Sequence, residues 1–230
     1  MAAPEPATDE AARQRITHRT GWRWLGLVSC GNILRLSEST IIASDISPAL
    51  AALREATRDL HATLDAASPL TSPGFAVDDY LAYAARVISW MRPVERNLYA
   101  TGLPWPEELA VETRAQKTRW LTQDLGQAAD RWPECPYAPA PDSLAAAYGL
   151  AYVCEGATLG GAYLYKRLLP QLAPLPLHWL KGYGADTGTN WKAFTASLAR
   201  EVTTPMQVQA AANAAREGFV TFEQWMRERC

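Results

Sequence analysis

Within Ala52 to Asp65, A-L-R-E-A-T-R-D-L-H-A-T-L-D, the side chains of Arg54, Arg58 and His61 recur at helical spacing. On a helix that repeats every 3.6 residues they share one strip, beside an apolar stripe of Leu53, Ala56, Leu60 and Leu64. Like charges four residues apart on a helix repel by roughly 0.2–0.5 kcal/mol. Two arginines beside an imidazole able to bind metal therefore ask for an anionic partner. A planar metal macrocycle carrying two carboxylates has that chemistry. The same residues admit a plainer reading, with His61 hydrogen-bonded at a core edge and Glu55, Asp59 and Asp65 neutralising the arginines. This helix alone favours the plainer one.

A second stretch changes the balance. Tyr152 to Arg167, Y-V-C-E-G-A-T-L-G-G-A-Y-L-Y-K-R, sets Gly156, Gly160 and Gly161 in the middle of a long helical segment, where each costs about 1 kcal/mol relative to alanine. Read as one face, the glycines let the helix bend and its backbone approach a flat ligand that any side chain would push away. The alternative is close helix–helix packing. Together the two segments resemble the haem oxygenases, most closely the bacterial biliverdin-forming branch often found with phytochromes. The resemblance runs from about Ser47 to the C-terminus. It is most specific in L-R-E-A-T-R-D-L-H at Leu53 to His61, E-G-A-T-L-G-G at Glu155 to Gly161, and G-Y-G-A-D-T-G-T-N-W-K-A-F at Gly182 to Phe194.

The resemblance implies that His61 is the proximal ligand to haem iron, and neutral imidazole is the commonest such ligand. His18 lies in the leader and His178 in a proline-rich connector, which leaves His61 on the amphipathic helix. It implies that Gly156, Gly160 and Gly161 form the catalytic distal face, and that Arg54, Arg58 and Lys192 bind haem through its propionates. Charge-assisted bonds of that kind are worth about 1.5 to 3 kcal/mol each and fix which way round the ring sits. Surface solvation is the plain alternative for all three, above all for Lys192. The pattern departs from the family at two places: Ala196 stands where a further basic residue is expected, and Ala157 where mammalian members carry an aspartate that orders distal water. Thr158, Glu155 or carbonyls freed by a bend would have to take over that ordering.

The implied activity is oxidative cleavage of haem, both substrate and cofactor, to biliverdin with release of carbon monoxide and ferrous iron. O2 is the co-substrate. No flavin- or nicotinamide-binding segment is visible, so electrons must come from an external reductase or ferredoxin; a bacteriophytochrome receiving the bilin follows from the family branch alone. A non-catalytic haem-binding or storage protein of the same fold needs the same His61 and arginines without turnover. A bundle of thiaminase or transcription-regulator ancestry would need an acidic, Cys-centred pocket, with Cys154 as a conceivable nucleophile, although a buried cysteine is more often inert. A di-iron bundle would want two Glu-x-x-His pairs, and the sequence has none.

The elements that must position these residues are helical. Ser47-Pro48 gives a cap and first-turn proline for a helix to about Ala67, and Ser68 to Gly74 break the pattern. A second helix starts at Asp78-Asp79 and should kink at Pro93. A third region, Glu107 to Ala129, is broken near its start. Trp132 to Pro141 is a connector, and Asp142 or Ser143 caps a long helix ending at Leu169 before Pro170. Gln171 to Gly188 carries no clear period; its G-Y-G-A-D-T-G lacks the spacing and strand–helix context of a dinucleotide loop. Thr189 caps a helix to about Val202, and Thr204-Pro205 opens the last, to about Arg229. Six helical segments and no convincing strand predict an all-α, single-domain helical bundle of haem-oxygenase type over 47–230.

Composition narrows the classes further. The 230 residues, 48% hydrophobic, can bury one substantial core. A net charge of -2 without long charged runs supports neither a nucleic-acid footprint nor a membrane patch. Cys30, Cys135, Cys154 and Cys230 are far apart and form no C-x-x-C pair, which argues against zinc or a disulfide framework and suits a reducing cytoplasm. No apolar run approaches a membrane span. Basic residues from Arg13 to Arg23 precede W-L-G-L-V-S-C at Trp24 to Cys30, but that apolar core is too short for a signal peptide. Residues 1–46 are expected to be a disordered extension or the product of a start codon placed too far upstream.

Overall fold

A computed structural model describes residues 46–228 apart from Thr101. The expectations for residues 1–45, and for Cys230, lie outside the described residues. The described chain is all-α, with no strand among those residues.

Helix α1 spans Pro48–Ala67, and the Ser47 hydroxyl accepts the Leu50 N–H at 3.2 Å. Its buried side is Ala49, Leu50 and Leu53. Helix α2, Val77–Tyr99, begins with the Asp79 carboxylate accepting the Ala76 N–H. It runs on through Pro93. The ring leaves the Ser89 carbonyl without its helical donor, and the Cys135 N–H from the connector fills the place at 2.9 Å.

The region from Glu107 is more fragmented than the sequence suggests. A 3-10 turn, Glu107–Leu109, precedes α3 (Val111–Arg114), α4 (Lys117–Leu125) and a second 3-10 stretch, Gly126–Arg131. Ala110 breaks the run in left-handed backbone at φ 48°. The first N–H groups of α4, those of Lys117 and Thr118, bond to the Glu95 carboxylate of α2 at 2.7 and 3.1 Å.

Helix α5, Leu144–Leu168, is capped by Ser143, whose hydroxyl accepts the Ala146 N–H. The stretch expected to carry no period contains α6, His178–Lys181. It follows Leu177 at φ 53°, and the buried Asp124 carboxylate accepts its His178 and Trp179 N–H groups at 2.7 and 2.9 Å. Helix α7, Thr187–Glu201, starts before the expected Thr189 cap, because a 3-10 turn at Gly184–Asp186 feeds straight into it. Helix α8, Pro205–Arg227, opens on a reciprocal cap: the Thr204 hydroxyl accepts the Gln207 N–H, and the Gln207 side chain accepts the Thr204 N–H.

Helix α8 is the floor of the bundle, laid along both α5 and α1, while α7 touches both of them from another side and α4 rests on α2. The core between them holds Leu53, Tyr80, Ile88, Trp90, Leu98, Leu121, Tyr148, Leu150 and Phe194. At about 1.5 to 3 kcal/mol for each large apolar side chain buried, this packing is what fixes the helices. Gly149 permits the closest approach, since a Cβ there would collide with the Ala211 backbone of α8. No described helix is long and apolar enough to cross a membrane.

Candidate functional site

His61 lies on the solvent-facing side of α1, its side chain 44% exposed, with the ring 5.8 Å from that of Phe219 on α8. Its Nδ1 is 3.0 Å from an Asp65 carboxylate oxygen one turn on. A metal-binding imidazole commonly donates its other N–H to a carboxylate, which sets the tautomer and the ring plane. Here the carboxylate engages Nδ1, and Nε2 is the ring nitrogen away from it. The hydrogen bond to Asp65 raises the imidazole above its ordinary value, against an opposing effect of burial. Sequence reasoning gave Asp65 only to the arginines; its i,i+4 spacing from His61 was the available signal.

The basic residues divide. Arg58 is exposed and ion-paired with Glu55. Arg54 is half-buried and makes no hydrogen bond or ion pair within the described residues. Its positive charge acts on the Tyr152 hydroxyl of α5, which burial pushes above the ordinary tyrosine value. Tyr152 also packs at 5.9 Å on Trp191 of α7, the neighbour of the exposed Lys192. Tyr152 thus ties α5 to the helix that carries Lys192.

The glycines divide too. A Cβ at Gly156 or Gly160 would meet nothing within 4 Å, whereas one at Gly161 would lie 3.4 Å from the Leu180 backbone of α6. Gly156 and Gly160 therefore form a bare strip open to solvent, and Gly161 is a buried packing residue on another side of the helix. The expectation of three glycines on one face is corrected to two. The helix stays α-helical throughout.

Neither side chain suggested as a substitute for the missing aspartate faces the strip. Thr158 is buried, its hydroxyl bonded to the Cys154 carbonyl. It abuts Gly182, where a Cβ would come within 2.6 Å of the Thr158 methyl and where φ is +54°. That double requirement explains the first glycine of G-Y-G-A-D-T-G. Glu155 is buried in a charged cluster: Lys117 Nζ lies 2.8 Å from Oε1, Arg114 Nη1 is 2.9 Å from Oε2, and the Tyr183 hydroxyl donates to Oε1 at 3.0 Å. Ala157 itself is exposed. Cys154 is buried and free, and burial pushes its thiol up to about 12, which disarms it as a nucleophile.

A comparison with curated proteins returns no match. The family model described as Heme oxygenase matches residues 47–228. The match begins at the Ser47 cap of α1 and ends with α8, so it takes in the His61 helix, the glycine helix and the floor beneath both. On that extent the chain belongs to the haem oxygenase family, whose substrate is haem.

Proposed function

We propose that the chain binds haem between α1 and α5 and cleaves it oxidatively to biliverdin, releasing carbon monoxide and ferrous iron, with O2 and electrons from an external reductase or ferredoxin. One observation carries the reading: an accessible imidazole oriented by a carboxylate on α1, and a strip of α5 where a side chain would meet nothing. A flat ligand fits such a strip because only backbone lies beneath it. Haem supplies the redox-active iron and is also the ring that is opened.

Each residue then has a task. Asp65 holds the His61 Nδ1–H, leaving Nε2 to bind iron as a neutral donor. Gly156 and Gly160 let the α5 backbone lie close to the ring while leaving room for O2 and water. Arg54 and Lys192, on the touching helices α1 and α7, would take the propionates and so set the ring's orientation; Arg58 would join them by exchanging Glu55 for a propionate. Gly161 holds α5 against α6. With Glu155 and Thr158 committed elsewhere, ordering of distal water falls to backbone groups along the strip. The widely spaced cysteines suit a cytoplasmic enzyme, and the likeness to the bacterial branch makes a bacteriophytochrome the acceptor of the bilin.

The test mixes the purified chain with hemin, records the Soret band, adds ascorbate or a ferredoxin system in air, and identifies the pigment by chromatography. The expected result is loss of the Soret band with formation of biliverdin. A Soret band that forms and then persists under reductant and air would make the chain a haem carrier or store.

A further inference from the structure

The bare strip raises a mechanical question. A helix face without side chains has nothing on that face to fix its rotation or height, so the opposite side must hold it. The residue next to Gly156 is Glu155, whose side chain is 1% exposed. Around it the charged cluster ties several segments together. Arg114 of α3 also donates from Nε to the Leu109 carbonyl at 2.8 Å and from Nη2 to the Asn190 carbonyl of α7 at 3.2 Å. Lys117 of α4 also donates to the Arg114 carbonyl at 3.0 Å and to the Tyr183 hydroxyl at 3.1 Å. The N–H of Lys117 is in turn held by Glu95 of α2.

A buried ion pair is a poor source of net stability, because desolvation offsets the attraction, and well-packed apolar residues often do as well. In some proteins such a group instead selects one geometry, and breaking one member strands a buried charge. We propose that Glu155, clamped by Lys117, Arg114 and Tyr183, is the positioning residue that fixes the rotation of α5 and thereby the seat of the Gly156–Gly160 strip over the haem. This rests on the reading that haem lies against that strip. Glu155 touches no substrate in this account; it acts through the helix that follows it.

The test uses the full chain with Glu155→Gln, which keeps the shape and loses the charge, and with Lys117→Met, which removes one clamp while the carboxylate keeps Arg114. Hydrogen exchange on the haem-free proteins reads amides 153–161, and NMR of the hemin complexes reads the hyperfine-shifted ring methyls. The expected result is exchange faster by about tenfold or more in that segment with caps and α8 unaffected, and a second set of ring-methyl signals from a second seating. A purely structural role would lower the unfolding temperature and leave one seating. Native exchange at 153–161 or a single unchanged set of methyl signals in the folded variants overturns the proposal. If Glu155→Gln does not fold, Lys117→Met decides by the same two readouts. Neither readout needs turnover, so a chain that binds hemin and makes no bilin would sink the proposed function while this test still gave its answer.

Discussion

At the scale of single residues, His61 and Gly160 make opposite demands on the haem-free chain. His61 is held above the ordinary histidine value of about 6.5 by its hydrogen bond to Asp65. The charged imidazole is thus favoured in the folded state; the stabilisation is fully present below the unfolded value and is lost as pH rises through the raised one. Iron takes the neutral ring, so protons compete with haem and affinity should rise with pH across the same window. Asp65→Ala should lower the His61 titration, because the raising hydrogen bond is removed while the opposing burial stays, read from its imidazole proton by NMR in the haem-free protein; an unmoved titration would show that Asp65 does not hold the ring. Gly160 lies mid-helix with open space beyond its Cα. Gly160→Ala should therefore stabilise the haem-free fold by about 0.5 to 1 kcal/mol while weakening hemin binding. A variant that gains stability and keeps full affinity would show that the strip is not a contact surface.

At the scale of elements, stability divides between caps made locally and caps made at a distance. Ser143→Ala and Thr204→Ala each remove one side-chain cap on a long helix and should cost about 0.5 to 2 kcal/mol in chemical denaturation. Asp124→Ala should cost about 3 kcal/mol or more, because the buried Tyr80 hydroxyl and the first N–H groups of α6 lose their acceptor together; a cost no larger than that of the local caps would count against this. The same division explains what the sequence displays. Ser47, Ser143 and Thr204 stand beside the helices they cap, so α1, α5 and α8 were legible. Helix α6 was not, because its acceptor, Asp124, is 54 residues away, and the α4 cap, Glu95, is 22 away. Left-handed Ala110 and Leu177 carry no local sign of their conformation. The split between Gly156–Gly160 and Gly161 depends on where α6 lands, and the Glu155 cluster on three separate segments meeting.

At the scale of the molecule, α8 joins the two halves of the proposed site. It packs along α5, where Gly218 lies against Leu150 and Val153, and along α1, where Phe219 meets His61 and Arg216 bonds the Ala56 carbonyl. The helices that carry the imidazole and the bare strip are thus fixed to one floor, and each strip can change without removing a buried core residue. A ligand gripped by both should stabilise the whole fold by mass action. With free hemin at a hundredfold its dissociation constant, the gain is about 2.7 kcal/mol, which for a chain of this size is a rise in Tm of roughly 5 to 11 °C. His61→Ala and Gly160→Leu should retain the Tm of the haem-free protein to within a few degrees, because one side chain is half-exposed and the other enters open space. Both should lose most of the hemin-dependent rise. Lys192→Ala, exposed on α7, should lose only part of it, since Arg54 and Arg58 remain. A full hemin-dependent rise in both the His61 and the Gly160 variants would place the ligand elsewhere on the bundle. Loss in one alone would mean that the ligand rests on that helix and does not bridge to the other.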